Sequence, residues 1–232
     1  MMHPPAIRRK PNDPTAGDLT AGDPAAAPRR AGILAEIVEM FNYVRHDKLL
    51  KTLILVVAAI NLLFAGPLIV GSAALGKVRF AEGSLAYGAM LSAFAIGALA
   101  GTLTAGVIRL KQAGVVSLLL VAAEGVFMVG IAYSSTLAVT CILWLLIGFG
   151  AGFGSLNLIT MTQKQVTKPM MGRFMSLIAL TEVGLTPISN ALAGMLADLN
   201  VTALFVLAGV LLTATALVAA TNGDLRAGPT QK

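Results

Sequence analysis

A glutamate at position 182 stands in a largely apolar stretch, MGRFMSLIALTEVGLTPISNALAGMLAD, covering residues 171–198. Thr186 and Ser189 fall on its face at helical spacing and Asn190 flanks it, so one stripe of a membrane-length helix is polar. An ionisable side chain in such a segment is costly to charge and by default marks a proton or substrate path. Glu182 is therefore the first candidate to take up and release a proton as water access changes sides. The competing reading is a glutamate that is permanently paired, or protonated and hydrogen-bonded, for helix packing. Pro187 deprives the carbonyl of Val183 of its helical partner, which predicts a kink or a softening one turn beyond the glutamate.

Glu124, in LLLVAAEGVFMVGIAY, is the second intramembrane acid. Its helical neighbours Leu120, Val121, Phe127, Met128 and Ile131 are apolar, and only Ser117, two turns back, offers polarity. A structural contact is the first reading for it and proton coupling the second. Asn61 and Asn157 are single amides in apolar runs, suited either to interhelical bonding or to substrate contact. Enzyme chemistry finds little support. His3 and His46 both precede the first long apolar run, so the serine of GFGS at 152–155 has no histidine to pair with in the membrane. There is no cluster of metal ligands and no phosphate-binding glycine loop, and no cofactor is implied.

The elements that must hold these residues are membrane spans. The chain of 232 residues is 56% hydrophobic and 12% charged, with a mean hydropathy of +0.82, which does not suit a domain needing a polar surface. The excess of 17 Lys+Arg over 11 Asp+Glu is topological, because the basic residues form no stripe interleaved with aromatics of the kind that binds nucleic acid. Cys141 is the one cysteine, which rules out an intrachain disulfide. No cleavable signal peptide is visible, so the first apolar run, beginning near Leu49, should stay in the membrane.

Residues 1–31 combine Pro, Gly, Ala, Asp and Arg without periodicity and read as a disordered leader. Residues 32–48 place Ile33, Ile37, Met40, Phe41 and Val44 opposite Glu36, Glu39 and Arg45, the pattern of an amphipathic helix lying on the bilayer or packed on a neighbour. Six candidate spans follow, near 49–75, 84–108, 113–132, 136–160, 174–197 and 201–220, with a short tail from 221 to 232. The breaks are GKVRFAEG, RLKQ, YSST, TMTQKQVTKPMMGR and DLNV. Six crossings put both termini on one side. Arg45, Lys48, Lys51, Arg109, Lys111, Lys164, Lys168, Arg173 and Arg226 fall on one face against Lys77 and Arg79 on the other, so the termini should be cytoplasmic. Gly88, Ala93, Gly97, Gly101 and Gly106 in the second span, Gly148, Gly150, Gly152 and Gly154 in the fourth and Gly194 in the fifth suit close helix packing more than substrate contact.

This arrangement resembles the C-terminal half of a major facilitator superfamily transporter. EMFNYVRHDKLLKTLIL resembles the entry to the seventh helix of the macrolide and siderophore exporter branch, and AYGAMLSAFAIGALAGTLTAG resembles that branch's eighth helix. AGVIRLKQAG, with Arg109 and Lys111, is similar to the loop motif that follows, although Ile108 stands where an acidic residue is usual. NLITMTQKQVTKPMMGRFMSL is similar to the cytoplasmic loop between the tenth and eleventh helices, with Gln163, Gly172 and Arg173 at matching places. The resemblance covers about residues 32–220. It implies an all-α membrane protein of six helices in two inverted three-helix repeats, with substrate at the midplane against a second half. That half would be a separate chain or a second copy. The cavity would be bordered by spans one, two, four and five, with three and six as buttresses, which favours Glu182 over Glu124. The implied activity is proton-coupled efflux of small amphipathic molecules across a bacterial inner membrane, an antiporter working by alternating access. Asn61, Asn157, Thr186, Ser189 and Asn190 would line the path. The alternative is a nontransporting subunit or truncated remnant that needs a partner half.

Overall fold

A computed structural model describes residues 48–108, 113–165 and 168–221, and every regular element among them is helical. The expected leader, most of the amphipathic segment at 32–48, Arg109, Lys111 and most of the 221–232 tail lie outside the described residues. The elements are α1 (Lys48–Gly66), a π-helical turn (Pro67–Gly71), α2 (Ser72–Arg79), α3 (Ser84–Val107), α4 (Ala113–Tyr133), α5 (Leu137–Gln165) and α6 (Lys168–Thr221). Five apolar stretches are long enough to cross a membrane: Ile54–Arg79, Ser84–Val107, Gly114–Tyr133, Leu137–Asn157 and Phe174–Thr221. Large apolar side chains such as Leu103, Val107, Val183, Leu199 and Leu217 are exposed on their outer faces, a surface suited to lipid.

The first stretch runs on to Arg79, past the expected end at 75, because α1, the π turn and α2 continue one another. Pro67 opens the turn, since it has no N–H for the carbonyl one turn back. The hydroxyl of Ser189 closes the gap beside it. It donates to the Leu62 carbonyl at 2.6 Å and accepts from the Gly66 N–H at 2.8 Å, so a side chain of α6 is inserted into the α1 backbone ladder.

The last stretch is 48 residues long, and a straight helix of that length would reach about 70 Å, more than twice the hydrocarbon thickness. It is not straight. Asn200 adopts extended angles (φ −165°, ψ 108°), and its side-chain oxygen accepts the Ala203 N–H at 3.1 Å, capping the helix that follows. Phe174 and Ala219, near opposite ends of the stretch, share one packed cluster with Leu118, so the arms 168–199 and 201–221 fold back on each other. The expected break at DLNV is thus where the chain reverses. Backbone angles stay helical at Pro187, and the proline that opens an irregular turn is Pro67. The basic segment expected as a loop between the fourth and fifth spans is helical to Gln165 and again from Lys168, which suits its helix-forming Gln, Lys and Met content.

Packing follows the small residues. A Cβ at Gly97 or Gly101 would strike the backbone of Leu145 or Phe149, and one at Gly148 or Gly152 would strike Phe94 or Ala98, so α3 and α5 meet backbone to backbone. Gly125 and Gly209 join α4 to the second arm of α6 in the same way. Gly66 faces Ser189 and Ala193, joining α1 to the first arm. Gly71 abuts Leu204 and Phe205, and Gly130 abuts Leu143, which ties the π turn to the second arm and α4 to α5. Trp144 is fully buried at the centre. Its ring packs edge-on against Phe64, Phe94 and Phe205, at centroid separations of 6.2, 6.0 and 6.4 Å, and so joins four helices.

Candidate functional site

Between α1, α4, α5 and α6 lies a cavity of about 210 Å³. Val56, Val57, Ile60, Asn61 and Phe64 of α1 form one wall, and Gly114, Ser117, Leu118, Val121 and Glu124 of α4 form another. Gly150, Ala151, Gly154 and Ser155 of α5 and Glu182 of α6 complete it. The wall is mostly apolar, and its ionisable groups among the described residues are Glu124 and Glu182.

The two acids differ in setting. Glu124 is only 4% exposed, and no group among the described residues hydrogen-bonds its carboxylate. It has room because position 150 is glycine; a Cβ there would fall 2.8 Å from a carboxylate oxygen. Ser117, on the same face of α4, lines the cavity too, and its buried hydroxyl oxygen has no partner among the described residues. Glu182 is exposed and stands on the margin of the cavity. Charging a carboxylate as enclosed as Glu124 is costly unless a proton or a cation neutralises it.

The expected site residues separate accordingly. The structure brings Glu182, Glu124 and Asn61 together at the cavity. The Asn61 amide also donates to the Val57 carbonyl at 3.0 Å, which fixes its rotamer. Thr186 bonds back to the Glu182 carbonyl within its own helix. Ser189 does not line the cavity, because its hydroxyl is committed to the α1 backbone. Asn157 is buried and bonds the Phe153 carbonyl at 3.1 Å, and the buried Oδ1 of Asn190 has no partner among the described residues; neither borders the cavity. Gly97 and Gly101 sit in the α3–α5 contact, whereas Gly106 faces open space and Gly194 only touches Val70. Gln163 lies in α5, and Arg173 and the exposed Pro187 lie in α6.

The cavity lies within the described chain, where α4, the third crossing, contributes a full wall and α3, the second, contributes none. The reason is the backbone contact of α3 with α5, which leaves no space between them. Arg79 was read only as a flanking charge. Its guanidinium donates to the carbonyls of Ile131, Ala132 and Ser134 at 3.1, 2.9 and 3.1 Å and to the Thr202 hydroxyl at 2.8 Å. It thereby caps α4 and ties it to α2 and α6. A basic residue at the end of a span was the available signal, but its partner lies far along the chain.

The chain is a helical protein, and the five long apolar helices among its described residues are those of a multi-pass membrane protein. Comparison with protein-family models, with curated proteins and with solved structures finds no match.

Proposed function

We propose that this chain is one six-helix half of a proton-coupled transporter of the major facilitator type, exporting small amphipathic molecules by alternating access. The observation that carries the reading is the cavity in which an enclosed Glu124, without a hydrogen-bonding partner among the described residues, and an exposed Glu182 face one apolar space. An acid reachable from the margin and another sealed at depth are what a site needs to pass a proton between water and an occluded state. The chemistry is carriage across a bilayer, with no enzymatic step.

The helix contacts support an inverted repeat of three and three crossings. Exchanging the first three crossings with the last three turns the contact of first with fifth (Gly66 with Ser189) into that of fourth with second (Gly148 with Phe94). It also turns the contact of third with fourth (Gly130 with Leu143) into that of sixth with first (Leu204 with Gly71), and returns third with sixth (Gly125 with Gly209) to itself. The repeat favours a partner half, as a separate chain or a second copy, in a bacterial inner membrane with both termini cytoplasmic. The test is proton-linked substrate movement in liposomes, with and without that half. Glu182→Gln should abolish coupling while substrate still binds, and Glu124→Gln should abolish coupling too. Full-rate proton-driven transport in both variants would remove the coupling role.

A further inference from the structure

We infer that the ligand of this cavity is an organic monocation: a quaternary or tertiary ammonium on an apolar body, whose charge is neutralised at Glu124. The inference rests on reading the cavity as the transport site and names what that site takes. Charge decides the sign, since among the described residues the lining holds two carboxylates and no Lys, Arg or His, and an anion would enter against both. Depth decides which carboxylate, because Glu124 is 4% exposed and has no hydrogen-bonding partner among the described residues, whereas Glu182 at the margin is exposed. The need for an apolar body follows from the wall. Val57, Ile60, Phe64 and Val121 surround far more space than a bare metal ion fills, and the cavity's two carboxylates belong to no metal-binding cluster of His, Cys, Asp and Glu among the described residues. Phe64 adds an aromatic ring, a partner that ammonium groups also favour.

The test uses the full chain in lipid nanodiscs and three probes of one shape: benzyltrimethylammonium, the neutral benzyl dimethyl carbinol and the anion benzylsulfonate. The native chain should bind the cation at least about tenfold more tightly than the carbinol and should bind the sulfonate weakest. Glu124→Gln should erase the preference for the cation and leave carbinol affinity within about twofold, an outcome that an unfolded variant cannot give. Equal binding of cation and carbinol by the native chain overturns the inference. So does an unchanged cation preference in Glu124→Gln, or binding of none of the three. If the cation preference holds and depends on Glu124 but liposomes show no proton-linked movement, the transport reading falls and the ligand class stands.

Discussion

The guanidinium of Arg79 lies where the last carbonyls of α4 have lost their helical donors, and it answers those of Ile131 and Ala132 and the Ser134 carbonyl just beyond, while also reaching Thr202 on α6. No other donor among the described residues is bonded to the carbonyls of Ala132 and Ser134. Arg79→Gln should therefore destabilise the protein by about 2 kcal/mol, the range of hydrogen bonds to a charged donor, whereas Lys77→Gln on the exposed neighbour should change it by under about 0.5 kcal/mol. Unfolding in mixed micelles checks the pair, and equal effects would show that Arg79 acts only as a flanking charge. At this scale the sequence was partly legible. Glu182 and Glu124 stood out because a carboxylate in an apolar run is visible in one dimension. That Ser189 would enter the α1 ladder, or that Gly150 would make room for Glu124, depends on residues brought together from separate helices.

Helices were legible because the bilayer demands about twenty apolar residues in a row, and that demand leaves hydropathy and charge breaks along the chain. The phase of each helix was not, because spans that are apolar all round carry no polar face to orient them. The glycines of α3 show the consequence. Gly97 and Gly106 look alike in sequence, yet a Cβ at Gly97 runs into the Leu145 carbonyl while one at Gly106 meets nothing within 4 Å. Gly97→Ala should therefore force α3 and α5 apart at a cost of about 2–3 kcal/mol. Gly106→Ala should be neutral or stabilising by up to about 1 kcal/mol, since alanine favours the helix. Steric-trapping or denaturant unfolding of the two variants measures the difference, and similar losses would mean that the close α3–α5 contact is not what glycine serves. The same limit explains Pro187 and Pro67. Either proline could interrupt its span, but only Pro67 has a serine from another helix beside the opened ladder.

For the molecule as a whole, the contact pattern and the charge pattern make separate statements that must agree. The reversal at Asn200 turns five long apolar helices into an even number of crossings, so the two ends of the described chain emerge on one side. Lys77 and Arg79, at the end of the first crossing, then share a side with the turn at Ser134–Thr136 and with Asn200, while the α5–α6 connection lies opposite with Lys164 and Lys168. Basic residues are retained on the cytoplasmic side, so the majority side should face the cytoplasm even though Arg79, bonded within the fold, sits on the other. A cysteine at the exposed Ser135, in a Cys141→Ser background, should react with an impermeant maleimide added to intact cells, and one at Gln163 should react only after the membrane is opened. The cavity adds a constraint on the same experiment. Its lining comes from the first half of the first crossing, the first half of α4, the later half of α5 and the first arm of α6, all toward the side of the α5–α6 connection. If Gln163 is internal, the described conformation has its acids nearer the cytoplasm and is the one that would load substrate for export. If the labelling pattern is reversed, the same geometry becomes an outward-facing cavity, and the direction of transport proposed for this chain has to be reversed with it.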